Sequence, residues 1–493
     1  MRGALALAAA LLLQAVAAGA QPGGAPGEVA PELPRAQPAE ASGRLARRPD
    51  ERRPAVQFST TLFGRPLILG GQYEITHQNR LNFDLDSKLA RDRARLDQEL
   101  KAEAFYRASD DVSLFFQLVG LSEIDTYRST GDRTSASALE RGQMWLYADR
   151  VLVDALALQA GRIALIEPRT WWWDENLDAL RLYAGRGHWL LETGLARELG
   201  RKSSEEQYID PEQEELARWF GRAAYEWRRR HTLEAYWLYS EDNSSQPPPG
   251  TVLAEEAADP SDARLSWLGL RAAGDQRLGA AQRLGYWIDA GWVSGRETVT
   301  AFRDAGTDQV SVARLTDQTV RGQAVDVGIM WTLPGAWRPT LTAAYARGSG
   351  DGDNSDGVDR AYRQTGLQEN KARYRGVNRF RYYGELLRPD LSNLAISTLA
   401  FGFRFLPRSS LELVLHDYRQ VHPSSSLPSD RLDASPRGVD RSLGSELDFI
   451  LGVREWERIE LAARFARFRA GSAFGERSGE HATLLELSMT LVF

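Results

Sequence analysis

From residue 67 to the C-terminus, apolar residues of this chain recur at every second position rather than at the 3.6-residue period of a helix. Side chains of an extended strand alternate between two faces, so each such stretch presents one apolar and one polar side. At the C-terminus Leu485, Leu487, Met489, Leu491 and Phe493 fall on one side, and Glu486, Ser488 and Thr490 on the other. Leu399, Phe401, Phe403 and Phe405 alternate with Ala400, Gly402 and Arg404 in the same way. So do Leu447, Phe449, Leu451 and Val453 with Glu446, Asp448 and Gly452, and Val325, Val327, Ile329 and Trp331 with Asp326 and Gly328. The apolar faces often end in Trp, Tyr or Phe, the pattern of aromatic girdles at a membrane interface.

Eighteen segments of this kind stand near 67–76, 95–106, 111–120, 142–149, 154–163, 176–184, 188–196, 217–227, 231–240, 263–272, 282–293, 321–332, 338–347, 394–405, 409–418, 444–453, 457–468 and 483–493. Short turns such as 107–110, 185–187, 228–230, 333–337 and 406–408 interleave with longer connections, among them 121–141, 164–175, 197–216, 241–262, 294–320, 348–393 and 419–443. That asymmetry predicts an all-β fold: an eighteen-stranded antiparallel transmembrane β-barrel with short periplasmic turns and long extracellular loops. A further alternating stretch, 376–387, is assigned to the long loop because loop parity and an even strand count require it. Leu399, Phe401, Leu485 and Leu487 are expected to face lipid, and Arg404 and Glu486 the lumen. So many strands enclose an aqueous channel, and residues 121–141 are expected to fold into the outer mouth and narrow it.

The first residues read as a signal peptide over 1–20. Arg2 precedes the apolar run Ala4 to Leu13, and Ala18-Gly19-Ala20 offers small residues for cleavage. Residues 21–55 carry repeated prolines and an arginine cluster at 44, 47, 48, 52 and 53. They predict an extended periplasmic linker whose arginines are solvated, the alternative being a docking site for something acidic. The barrel is assigned to 56–493. Fourteen Trp, sixteen Tyr and seventeen Phe exclude a disordered chain. The absence of Cys excludes disulfides, thiolate metal sites and cysteine nucleophiles. The six His include no HxxxH or HExxH pair, so no metal site and no cofactor are expected.

Within the loops stand Tyr345-Ala-Arg-Gly-Ser-Gly350, Arg363-Gln-Thr-Gly-Leu-Gln-Glu-Asn370, Tyr383-Gly-Glu385 and Leu391-Ser-Asn-Leu394. Gly161-Arg162 and Trp173-Asp-Glu-Asn-Leu-Asp-Ala-Leu180 add to them. These stretches resemble the alginate-export porin family of the outer membrane, from about residue 67 to the end. The resemblance implies a monomeric barrel that passes a linear polyuronate through an electropositive constriction. Carried over residue by residue, the implied pore-lining set is Lys101, Arg141, Asn176, Lys371, Arg379 or Arg381, and the pair Arg467 and Arg469. Alternation with Leu461, Ala463 and Phe465 puts Arg467 on the lipid side, so Arg464 stands beside that pair as an equal candidate. Two departures from the family are Glu74, where it has a basic residue, and Arg454-Glu-Trp-Glu457, too short for its long periplasmic plug.

An arginine suits such a channel because its planar, permanently charged fork pairs with carboxylates bidentately. The expected partners are therefore an acidic polysaccharide such as a polyuronate, outer-membrane lipid and periplasmic exopolysaccharide-secretion components, with no nucleic acid. A general or small-anion diffusion porin is the alternative reading. A barrel enzyme is the remote one, because His416 and Glu412 share a polar face but no motif supplies a nucleophile. The Asp351–Asp359 stretch resembles a calcium loop but lacks the glycine at its sixth position, and is expected to be a solvated turn. Trp171, Trp172 and Trp173 are expected to pack in a loop or at the interface rather than to stack sugars.

Overall fold

The computed structural model describes residues 51–493 apart from 89, 90, 128, 129, 280 and 354. The expected signal peptide and the first part of the linker lie outside the described residues. Eighteen antiparallel strands close into one barrel: β1 (Arg65–Leu81), β2 (Arg93–Arg107), β3 (Val112–Tyr127), β4 (Arg133–Ala148), β5 (Leu156–Ile166) and β6 (Asp174–Arg186) come first. Then follow β7 (Trp189–Ala196), β8 (Leu216–Arg228), β9 (His231–Asp242), β10 (Ser261–Arg277), β11 (Arg283–Gly306) and β12 (Gln309–Thr332). The last are β13 (Thr340–Gly348), β14 (Leu394–Leu406), β15 (Ser409–Gln420), β16 (Ser442–Val453), β17 (Ile459–Ala470) and β18 (His481–Val492). Each strand pairs with its sequence neighbours, and β18 returns to β1 with Glu74 opposite Thr490 and Gln78 opposite Glu486. Closure leaves no sheet edge, as a bilayer demands.

The faces follow the alternation. Leu399, Phe401, Leu485 and Leu487 are exposed on the outer wall, while Glu486 is 7% exposed and turned inward. Arg404 also turns inward and donates to the backbone carbonyl of Arg375 at 3.1 Å.

Residues 121–127 and 130–141 do not fold into the mouth. They continue β3 and β4 as a hairpin, with Leu121 opposite Ala138 and Asp125 opposite Thr134, because the period-two pattern runs on above the membrane. Residues 294–320 do the same, β11 and β12 each reaching 24 residues. Segments that fill the lumen are 167–173, between β5 and β6, and 361–393, the inner part of the 349–393 connection between β13 and β14. Tyr362, Leu367, Tyr374, Phe380, Tyr382, Leu386 and Leu391 of the longer one are all buried.

That loop descends the lumen to its periplasmic end. Arg375 pairs with Asp275 near the lower end of β10 at 2.9 Å, Val377 N–H donates to Ser410 Oγ at 2.8 Å, and Asn378 donates to the Leu451 carbonyl at 3.0 Å. It then climbs back through Gly384, whose φ is 112°; a Cβ there would meet Tyr418 Oη at 2.3 Å and the Glu446 carboxylate at 2.9 Å. Only glycine fits that close, positive-φ passage. Just after it the Glu446 carboxylate accepts the N–H groups of Leu386 (2.7 Å) and Leu387 (3.0 Å), and Asp448 that of Glu385 (3.2 Å). Buried carboxylates on the wall therefore satisfy loop backbone that has no strand partner.

Candidate transport pathway

The lumen has two unlike halves. Against β9 to β12 it is packed solid by the tryptophan run and the loop. Trp171 stacks on Tyr362 with ring centres 6.1 Å apart, Trp172 stacks on Tyr236 at 5.3 Å, and Trp171 Nε1 donates to Tyr383 Oη at 2.9 Å. The expected loop-packing role of these rings is what the structure contains. Beneath them lies a buried charge network. Arg169 pairs with Asp289 (3.1 Å) and Asp326 (2.8 Å), and Arg271 with Glu167 and Asp289. Asp326 also accepts from Trp287 (2.7 Å) and Tyr383 (2.9 Å). Every charge here has a counter-charge, and this half is structural.

Against β1, β2 and the lower parts of β17 and β18 the inward side chains are mostly only half-buried. Here cations are joined by too few carboxylates. Lys371 and Arg381, opposite each other in a two-residue ladder, share Glu369 at 2.9 and 2.5 Å. Arg464 and Arg388 share Glu385, at 3.3 and 3.6 Å, and both also reach Glu486. Gln78 donates to Glu486 at 2.9 Å and accepts from Arg80 (2.8 Å) and from Arg431 (2.9 Å). Six cations are thus linked through three carboxylates and one amide.

The excess is felt by its members. Burial, and after it the repulsion of Arg381, pushes the Arg388 guanidinium down to about 10. Burial, then Arg388 and Arg80, pushes Arg431 below its ordinary value as well. Arg431 Nη1 is buried with no hydrogen-bond partner among the described residues. An anion entering this side would relieve both the repulsion and the unmet donor.

The sequence-derived residues divide between lumen and wall. Lys101 faces inward on β2 and pairs with Glu99 (3.1 Å) and Glu51 (3.5 Å). Lys371, Arg379 and Arg381 lie in the inward loop, Arg379 buried with a 2.8 Å bond to the Lys371 carbonyl, and Arg464 faces inward from β17. Arg467 and Arg469 do not join them. They share the outer register face of Leu461 and Phe465 and are exposed, while Ala466 and Phe468 turn in, because no bulge interrupts β17. Arg141 falls on the register face of exposed Leu139. It closes the gap where β4 leaves β5, bonded to the Arg201 carbonyl at 2.7 Å and paired with Asp178 at 3.3 Å. Asn176 shares the face of Asp178 and Leu180, opposite that of Leu177 and Arg181.

Arg80, Arg388 and Arg431 were not among the candidates. The alternation read to residue 76 continues through Gln78 to Arg80, a signal the sequence carried. Arg388 and Arg431 lie in irregular loops, where no period assigns a face.

Glu74, half-buried, faces the lumen and accepts from Thr490 at 3.0 Å. His416 has no exposed surface; its Nδ1 is 2.9 Å from Thr398 Oγ1 and its Nε2 3.6 Å from Asp448. In the Asp-rich loop Asp356 pairs with Arg360 at 2.7 Å and Asp359 with Arg363 at 2.6 Å. The one cation-compatible acidic group among the described residues is Asp242, Asp259 and Asp262, and Ser244 and Gln246 already donate to Asp259 and Asp262.

The family model for alginate export matches residues 65–486. This chain belongs to the alginate export family. The alginate production protein AlgE of Pseudomonas aeruginosa is 26% identical over 338 residues, 66% of this chain and 65% of that protein. AlgE of Azotobacter vinelandii is 25% identical over 293 residues, 57% of this chain and 58% of that protein. The chain thus matches less than two thirds of the length of these relatives. Among solved structures, Pseudomonas aeruginosa OccK5 superposes with a TM-score of 0.51 at 13% identity, covering 87% of this chain and 98% of the other. Acinetobacter baumannii OccAB2 gives 0.52 at 10% identity, covering 86% and 98%. These share the fold. Family and fold together make this chain an outer-membrane β-barrel.

Proposed function

We propose that the barrel exports an acidic linear polysaccharide, an alginate-like polyuronate, passively along the half-buried side of its lumen. The observation that carries this reading is the linked set Lys371, Arg381, Arg388, Arg464, Arg431 and Arg80, whose cations outnumber Glu369, Glu385 and Glu486. Membership of the alginate export family names the class of polymer. The barrel would work as a monomer fed by periplasmic secretion components, with no chemistry of its own and the gradient of newly made polymer as the driving force.

A polyuronate presents one carboxylate per sugar, and each would exchange with Glu369, Glu385 or Glu486 at an arginine fork. Several weak stations in series hold a polymer without trapping it. Glu74, held by Thr490, adds a fourth carboxylate within electrostatic reach of Arg464, and the six cations still outnumber the four. Screening confines attraction to about 8 Å at physiological salt, so cations act only where the loop crowds them.

Planar-bilayer recording with the purified barrel tests the proposal. Anion selectivity is expected despite the formal charge of −6, with block by mannuronate oligomers. Cation selectivity with no response to uronates would leave a general diffusion porin instead.

A further inference from the structure

The periplasmic mouth holds a segment that belongs to no barrel strand. Residues 51–57 enter it ahead of a short strand, Phe58–Leu62, which pairs with the start of β1. Arg52 pairs with Glu460 of β17 at 3.3 Å and donates to the carbonyls of Arg454 (3.4 Å) and Trp456 (3.2 Å) in the β16–β17 turn. Ala55 N–H donates to Glu457 at 2.8 Å. Arg53 pairs with Glu103 of β2 at 2.5 Å, its guanidinium 5.9 Å from the Phe115 ring of β3. Glu51 reaches Lys101 at 3.5 Å. The segment thus lies across the inner faces from β17 through β18 and β1 to β3. The lower end of the 349–393 loop meets the wall from β10 to β16, through Asp275, Arg404, Ser410 and Leu451. Between them the two segments border the inlet on all but its β4 to β9 side.

What holds the segment is chemically telling. Its anchors are side-chain ion pairs and single hydrogen bonds, not strand pairing, and the wall groups have second partners. Glu460 also pairs with Arg454 at 2.9 Å, Glu103 also accepts from Gln117 at 2.8 Å, and Lys101 also pairs with Glu99. Release of the segment therefore leaves Glu460 and Lys101 an ion-pair partner each, and Glu103 the Gln117 amide. It does take their wall carboxylates from two adjacent guanidiniums, Arg52 and Arg53, and leaves Lys101 one carboxylate short. A carboxylate polymer supplies the groups these cations lose, at high local concentration and in the geometry an arginine fork prefers.

We propose that residues 51–57 form a displaceable strap over the periplasmic inlet, and that Arg52, Arg53 and Lys101 are its entry subsite for polymer carboxylates. Uronate groups take the places of Glu460, Glu103 and Glu51, so capture of the polymer and opening of the inlet are one exchange of ion-pair partners. This rests on the polyuronate reading above.

The test is single-channel recording with the full chain inserted in one orientation and a mannuronate hexamer added to either side. In the Arg52→Ala/Arg53→Ala variant the polymer-free conductance should rise. Block from the periplasmic side should need about tenfold more hexamer, the loss of charge-assisted pairs, while block from the outside is unchanged. The chain has no native cysteine. An Ala55→Cys/Glu457→Cys variant joined by a short bis-maleimide should therefore lose periplasmic block and recover it when the strap is left unlinked. Equal conductance and unchanged periplasmic block in both variants would overturn the strap and its subsite. If the wild-type barrel itself ignored the hexamer from both sides, the export reading would fail first, and this subsite with it.

Discussion

The two halves of the lumen use the same residue types to opposite ends. On the β9 to β12 side Arg169 and Arg271 are buried among Glu167, Asp289 and Asp326, with aromatic rings stacked over them and the guanidinium of Arg169 4.3 Å from the Trp287 ring. On the β1 side Arg80, Arg388 and Arg431 share an amide and two carboxylates and are only partly buried. Burial with a full set of counter-charges makes an arginine a structural strut, whereas partial burial with too few leaves it open to an added anion. A count of arginines cannot separate the two, because the distinction lies in the ratio of charges within reach.

The comparison breaks most sharply at Asp326. Asp326→Ala would leave Arg169 buried with one carboxylate fewer and remove the acceptor of Trp287 and Tyr383, a loss of about 3 to 5 kcal/mol of barrel stability. Urea unfolding in lipid vesicles should show a lower midpoint at unchanged slope. A neutral result there would mean that the packed half does not hold the fold.

The eighteen strands were legible because a barrel wall separates lipid from lumen at every residue, so period two survives along every strand. Even the nineteenth candidate, 376–387, could be assigned to a loop by parity, and the structure has it folded into the lumen. What alternation could not provide was where a strand stops. Residues 121–141 and 294–320 read as loops because their outer faces turn polar above the membrane, yet they stay paired. The inward-facing cations were legible only where they follow strands or a family motif, as at Lys101, Arg464, Lys371 and Arg381. Arg388, Arg431, Arg52 and Arg53 stand in irregular segments, whose side-chain directions come from tertiary contacts alone. For Arg467 and Arg469 the strand phase and the family match disagreed, and the phase prevailed.

A smaller effect sharpens the comparison. Arg388→Ala together with Arg431→Ala removes two crowded, partly buried cations while Glu385 and Glu486 keep Arg464 as partner, and Arg431 already has an unmet buried donor. Stability should hardly move, while half-block by a mannuronate hexamer should require about tenfold more of it. A large loss of stability with unchanged block would make these arginines struts like Arg169.

The smallest effect is expected at Arg467 and Arg469. Both stand on the outer register face of β17, exposed, opposite Thr483 and His481. Their neighbour Arg464, three residues before Arg467 and on the other face, holds Glu385 and Glu486. Replacing both outer arginines by Ala should change stability by no more than about 0.5 kcal/mol, as at surface positions without a specific partner. Hexamer block should stay at the wild-type concentration, whereas Arg464→Ala should weaken it, since the anchor of Glu385 goes with it. The pair of measurements isolates strand phase from charge, because all three changes remove arginine from one strand. Weaker block in the outer double variant, with Arg464→Ala neutral, would require β17 to be turned by one residue above Phe465.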